Sequence, residues 1–262
     1  MNATKVGHKV LFTASLLLSS GVALAQAEQS AAPAAIDNGT DPTKLLSAAE
    51  AKYEYLDLQN GFSSATLRLS YTRPFGEGKY SFRARLPIAA VDVFGDESYD
   101  IGDASVQLQH VFGLTQKHAF VIQGEMVFDT ASRPELGTGK NVFKGTLIYA
   151  KFLKGGSIFA PAIVQSNSLW GDESRTDINF TTFDFYYVPK LSNPKNLITY
   201  DPALNFDWEN DKQFASLAVT FGRVLGPQLG GNGILFFKPS LFAGSDRPGG
   251  WGIEVGYKVL GF

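Results

Sequence analysis

The sequence predicts an all-β chain closed into an antiparallel transmembrane β-barrel of about twelve strands, ten being the runner-up, behind a cleaved signal peptide. Three observations predict it. Segments of about ten residues alternate apolar with polar or small side chains at a period of two. The gaps between them are by turns long and short. The chain closes on Trp251 to Phe262 (WGIEVGYKVLGF), which reads as a strand ending in an aromatic residue.

In that closing stretch Trp251, Ile253, Val255, Tyr257 and Val259 share one face, and Gly252, Glu254, Gly256 and Lys258 share the other. A last strand in lipid must pair with the first, because an open edge leaves backbone groups unpaired where no water can reach them. Tyr257 and Phe262 are the candidate signal for a barrel-assembly machinery. Phe262 falls one residue out of phase with the Trp251–Val259 face.

The start of the chain fits the same class. Lys5 and Lys9 precede an apolar run from Val10 to Leu18, and small residues follow, so residues 1–27 read as a secretory signal peptide. Cleavage after Ala25 or after Ala27 satisfies the small-x-small rule. Beyond it, no apolar stretch is long enough for a spanning helix. With no cysteine there are no disulfide or thiolate metal sites. After the signal, 21 Lys and Arg face 25 Asp and Glu, Lys5 and Lys9 having left the total of 23. The mature chain is mildly acidic without blocks of like charge, which argues against nucleic acid as a partner. The full sequence's 21 Phe, 10 Tyr and 27 Gly suit a barrel with aromatic girdles and tight turns.

Residues 28–51 are expected to form a periplasmic leader. Asp41-Pro42 could open a short helix through Leu45, Leu46, Ala48 and Ala49, which would plug the barrel mouth. The barrel itself is assigned to residues 52–262. Its clearest strand places Tyr80, Phe82, Ala84, Leu86 and Ile88 on one face and Ser81, Arg83 and Arg85 on the other. Leu67, Leu69 and Tyr71 alternate with Arg68, Ser70 and Thr72. Ala104, Val106 and Leu108 alternate with Asp103, Ser105, Gln107 and Gln109. Phe120, Ile122, Met126 and Phe128 alternate with Gln123, Glu125 and Asp129. Later strands are expected at 142–153, 157–167, 178–188, 197–207, 213–223, 233–243 and 250–261; Phe180 to Val188 is apolar on both faces, so its orientation stays open.

The gaps 92–100, 129–140 and 167–177 are long and polar, and 113–117 and 154–156 are short. Surface loops and periplasmic turns alternate in this way. Eleven candidates from residue 65 onward violate the even count that this requires. A further strand at Lys52–Gln59, ending on Asn60-Gly61, restores it. Arg223–Gly233 remains too long for a turn, and Glu209–Lys212 is short for a surface loop.

On a barrel the apolar faces point to lipid and the polar faces line the lumen, the reverse of a soluble sandwich. The lumen-lining candidates are Arg68, Arg83, Arg85, Asp103, Gln107, Gln123, Glu125 and Asp129. Opposite charges in a narrow lumen are expected to pair across strands, or else to form a polar track for a solute. Under the soluble alternative, a secreted sandwich or lipocalin-like binder, the same arginines are solvated surface charges.

Catalytic and metal readings find little support. Of the histidines, only His110 and His118 lie beyond the signal, each at a strand end and neither beside a serine in a nucleophile motif. Gly137-Thr-Gly139-Lys140 lacks the spacing and following helix of a phosphate loop and reads as a turn. The acidic loops 92–100 and 167–177 carry no spaced calcium-ligand series. No catalytic residue, metal or cofactor is assigned.

Tyr99-Asp-Ile-Gly-Asp-Ala-Ser-Val, Arg133-Pro-Glu-Leu-Gly-Thr-Gly-Lys140 and Gly256-Tyr-Lys with Phe262 are similar to one group. They resemble the outer-membrane barrels of the meta-pathway phenol degradation family, over about residues 55–262. The resemblance implies an outer-membrane barrel that admits hydrophobic or aromatic compounds, and it carries over no catalytic residues. The functional expectation is a monomeric channel or uptake protein for small molecules in a Gram-negative outer membrane. Its partners would be lipid, the assembly machinery and a small solute. An outer-membrane enzyme acting on lipid and a non-conducting surface scaffold or adhesin are the alternatives.

Overall fold

The computed structural model describes residues 37–91 and 99–262. The signal peptide, the leader up to residue 36 and most of loop 92–100 lie outside the described residues. Twelve strands form the wall. They are β1 (Ala48–Leu58), β2 (Ser63–Phe75), β3 (Tyr80–Val91), β4 (Ser105–Phe112), β5 (His118–Val127), β6 (Lys140–Phe152), β7 (Ile158–Gly171), β8 (Asn179–Val188), β9 (Asn196–Asp207), β10 (Lys212–Gln228), β11 (Gly231–Ala243) and β12 (Gly249–Leu260). Each pairs antiparallel with its sequence neighbours. β1 pairs with β12 from Ala48↔Leu260 to Leu58↔Gly249, which closes the ring. The strand expected at Lys52–Gln59 is β1, and it begins at Ala48, four residues before the expected boundary of the barrel. Asp100–Ile101 adds a two-residue rung to β3.

The two faces have opposite exposure. Leu108, Ile122 and Leu241 are 58, 50 and 62% exposed on the outer face, whereas Ser81 and Gln107 on the other face are 3 and 4% exposed. A soluble sandwich would bury the apolar set. This wall presents it to lipid.

A band of rings crosses the outer face near the short turns. Phe75 stacks on Tyr80 at 5.5 Å between centroids, Tyr80 on His110 at 4.3 Å, and Phe112 on Phe120 at 5.5 Å. His118 and Tyr149 continue it. Both histidines therefore belong to an interfacial girdle, where an amphipathic ring sits between lipid and water.

Two irregularities explain where the sequence pattern breaks. β10 runs on to Gln228 through a register shift at Val224/Gly226, with Gly226 at φ +107°. That bulge hides the strand's last turn of alternation. The apparent long gap is then a two-residue turn, Leu229-Gly230, both at positive φ, as a tight hairpin requires. At the other end of β12, Gly261 at φ +74° re-aims the chain. Phe262 is thereby brought against Tyr71 on the outer face, 6.3 Å between centroids, although it is out of phase in sequence.

The helix expected after Asp41-Pro42 does not form. Asp41 Oδ1 accepts hydrogen bonds from Thr43 N and Thr43 Oγ1, and Lys44 N donates to Asp41 O, which makes a turn. Residues 44–47 carry no regular secondary structure and lead into β1. Leu45 packs toward Val111, Ala119 and Val121, while Leu46 packs toward Leu197, Val224, Ile234 and Leu260 on another part of the wall. Neighbouring leucines that anchor on different parts of the wall do not share one helical face, so tertiary packing overrides the local helix signal.

Candidate functional site

Inward-facing residues of the strands define the lumen, and residues 37–47 occupy its end nearest the short turns. That segment is a series of side-chain-capped turns. Asp37 Oδ1 accepts from Gly39 N, Asn38 Oδ1 from Thr40 N and Oγ1, and Lys44 Nζ pairs with Asp37 at 3.3 Å. Gly39, at φ +67°, approaches the wall so closely that a Cβ there would lie 2.5 Å from Leu260 Cδ1. Ser47 Oγ donates to Phe262 O at 2.6 Å, and Gly261 N donates to Ser47 O at 2.8 Å. The plug is thus tied at the seam between the first and last strands.

A ladder of polar side chains on β3, β4 and β5 connects the wall to the plug. Arg85 forms a short ion pair with Glu125, which also accepts from Ser105 Oγ at 2.6 Å. Arg85 Nη2 donates to Gln107 Oε1 at 2.7 Å, Gln107 Nε2 to Gln123 Oε1 at 2.6 Å, and Gln123 Nε2 to Gln109 Oε1 at 3.1 Å. Gln109 Nε2 then donates to the carbonyl of Pro42 at 3.2 Å. Across the lumen, Tyr186 OH donates to Thr40 O at 3.3 Å. A cavity of about 380 Å³ remains between plug and wall, with Arg83, Gln109, Gln123, Asp184 and Lys258 among its lining.

The eight lumen candidates separate into two groups. Arg83, Arg85, Gln107, Gln123 and Glu125 are brought together in or beside this ladder, Arg83 donating Nε to Thr72 Oγ1 at 2.9 Å. Arg68 stands in the same row, paired with Lys52 and Pro87 across the strands. Asp103 and Asp129 do not belong to the lumen wall. Both lie in the loops above it, because β4 begins only at Ser105 and β5 ends at Val127. Asp103 accepts from the main-chain amides of Thr130, Ala131 and Thr138. It organises the surface loop 128–139, and a Cβ on Gly137 would lie 2.6 Å from its Oδ1. Asp129 is exposed, its amide donating to Asn141 Oδ1. Alternation alone extends a strand past its end, which placed both aspartates on the wall.

Several inward groups escaped the sequence reading. Lys52 pairs with Glu254 at 2.6 Å, and Lys238 with Asp201 at 3.4 Å. Asp184 is nearby, its Oδ1 buried with no hydrogen-bond partner. Asp184, Asp201, Lys238, Glu254 and Glu54 line a second cavity of about 320 Å³. Phe180, Phe214 and Phe242 form an inward row with successive centroids 6.3 Å apart. β8 is apolar on both faces, so only its pairing register reveals which phenylalanines point inward. Among the described residues no group of three or more His, Asp or Glu side chains gathers as a metal site.

The surface loops are cross-tied. Arg175 donates to the carbonyls of Pro134 and Gly137 at 2.7 and 2.8 Å and of Thr138 at 3.3 Å. Lys140 pairs with Asp177 at 2.9 Å, and Ser168 Oγ donates to the same carboxylate. The Lys140 ammonium, with Ser168, holds the Asp177 carboxyl below its ordinary range. The Ser174 hydroxyl and amide do the same for Asp172.

No protein-family model matches the sequence, and neither does any curated protein. Solved structures do match the fold. The COG4313 outer membrane channel from Pseudomonas putida F1 aligns with a TM-score of 0.65 and 9% identity, covering 86% of this chain and 99% of that one. This is the fold of an outer-membrane barrel. The KdgM porin in complex with disordered oligogalacturonate gives 0.57 and 9% over 81 and 98% of the two chains. The NanC porin gives 0.56 and 10% over 82 and 99%.

Proposed function

We propose that the protein is an outer-membrane channel for uptake of small hydrophobic or aromatic molecules, with a lumen closed at one end by residues 37–47. The observation that carries this reading is the lumen itself. A twelve-strand wall encloses more space than its side chains fill, and the described plug is held mainly by hydrogen bonds and by two leucines rather than by a continuous core. The channels and porins that share the fold support the same function. The short stretches that resemble the meta-pathway phenol degradation family support aromatic solutes. The signal peptide, a monomeric state and contact with the assembly machinery through Tyr257 and Phe262 belong to the same proposal.

Proteoliposomes containing the refolded, heat-modifiable protein test it. Uptake of a labelled small aromatic above that of protein-free vesicles is the expected result. A folded barrel that passes no solute and shows no conductance would favour a scaffold and overturn the channel reading.

A further inference from the structure

We infer that the outer vestibule is a binding site for small aromatic monocarboxylates, recognised by Lys144 and Phe180; this deepens the channel reading and rests on it. The vestibule is a cavity of about 630 Å³ between the surface loops and the upper wall, a size suited to one small ligand. Val127, Val142, Ile178 and Phe180 give it apolar surface, and Lys144 is its inward-facing wall cation.

The charges around this cavity are already engaged, with one exception. Glu125, directly opposite Lys144 in the β5–β6 ladder, is taken by Arg85 and Ser105. Asp177 is taken by Lys140 and Ser168. Asp207 accepts from the amides of Glu209 and Asn210 and from the Asn210 side chain. Arg175 spends its guanidinium on loop carbonyls. Lys144 makes no direct hydrogen bond or ion pair among the described residues, and it acts on the Glu125 carboxylate opposite it only through space.

A half-buried ammonium whose neighbouring carboxylate is already bonded to Arg85 and Ser105 keeps its own donors free, and in a partly apolar cavity it favours an anion that brings its own apolar body. Ser166 faces Lys144 in the β6–β7 ladder and is within the same lining, so a carboxylate has a second donor. Phe180 supplies the ring contact. From Phe180 the row through Phe214 to Phe242 leads down the lumen to the second cavity, offering successive faces on which an aromatic ring can slide. A flat anion without a ring would use only half of this site. A neutral ring would leave Lys144 unanswered.

Calorimetric titration of the detergent-solubilised full chain with benzoate and with benzyl alcohol tests the site. Benzoate is expected to bind more tightly than benzyl alcohol. Lys144→Gln should weaken benzoate about tenfold, the loss of one charge-assisted contact, and leave benzyl alcohol unchanged. Lys144→Arg should restore benzoate binding, and Phe180→Leu should weaken both ligands. Heat-modifiable migration confirms that each variant is folded. Equal binding of the two ligands, or a Lys144→Gln variant that binds benzoate like the parent, would overturn the site. Solute uptake measured in parallel separates the two claims. Uptake with no Lys144-dependent binding sinks the site and keeps the channel. Lys144-dependent binding without any uptake keeps the site and sinks the channel.

Discussion

Gln109 on β4 donates its side-chain amide to the carbonyl of Pro42 at 3.2 Å, which joins the polar ladder of the wall to the segment that fills the lumen. Through Gln123, Gln107 and Arg85 the same chain of contacts reaches Glu125. The position of the plug and the charge state of the wall are therefore parts of one network. Neutral amide contacts of this kind contribute modestly, about 1 kcal/mol each.

The Arg85–Glu125 pair gives the first test. Both side chains are largely buried, and Glu125 is fully engaged. Glu125→Ala leaves Arg85 without its counter-charge in the lumen and should lower barrel stability by about 3 kcal/mol, the scale for breaking one half of a buried pair. Replacing both residues, as Arg85→Met with Glu125→Leu, should cost much less. Urea titration followed by heat-modifiable migration measures both. Equal losses in the single and double variants would show that the pair is not coupled.

The plug's apolar anchors give the second. Leu45 and Leu46 pack on separate wall clusters, so truncating both to Ala should loosen the plug while leaving the ring of strands paired. Each truncation costs about 1–2 kcal/mol, less than a fully buried Leu→Ala because both side chains are only half-buried. Faster proteolysis after Lys44, with the barrel fragment still heat-modifiable, is the expected outcome. Unchanged cleavage would mean that the leucines do not hold the segment.

Arg175 gives the third. Its side chain closes on three carbonyls of loop 128–139, and no other described side chain reaches more than one of them. Arg175→Ala should free that loop and raise its proteolytic cleavage several-fold, with strand pairing retained. Lys is a poor substitute, since an ammonium cannot span the fork of acceptors.

The pH dependence of the loops follows from Asp177. Its carboxyl is held below the ordinary value by Lys140 and Ser168. A depressed folded pKa means that the stabilisation is complete above the unfolded carboxylate value, about 3.9, and disappears as pH falls through the folded one. The loop tie is accordingly expected to hold from pH 8 down to about 5 and to loosen only in stronger acid. Hydrogen exchange across residues 168–178 reads this directly. Loosening between pH 7 and 5 would contradict it.

Much of the barrel was legible in the sequence because a strand with lipid on one side must alternate strictly. Tyr80–Ile88 shows this, and parity of loops and turns pointed to a strand at Lys52–Gln59 where β1 lies. Legibility failed where a backbone feature breaks the period. The bulge at Gly226 hid the end of β10, and Gly261 reversed the phase of Phe262. It failed again where position depends on distant partners. Nothing local in Asp41-Pro42 distinguishes a helix cap from the turn whose leucines reach opposite walls. Asp103 has the right phase for the lumen and still lies above it, drawn to the amides of a loop some thirty residues away. Lys144 and the row Phe180, Phe214 and Phe242 became visible only once the register had oriented strands that are apolar on both faces.

The measurement that tests the central claim most directly is single-channel conductance in a planar bilayer, comparing the full chain with a variant lacking residues 37–46, both verified as heat-modifiable barrels. The plugged-lumen account predicts small or intermittent steps for the full chain and larger, sustained steps for the deletion. Identical conductance in the two proteins would show that residues 37–47 do not close the pathway, and would contradict the account.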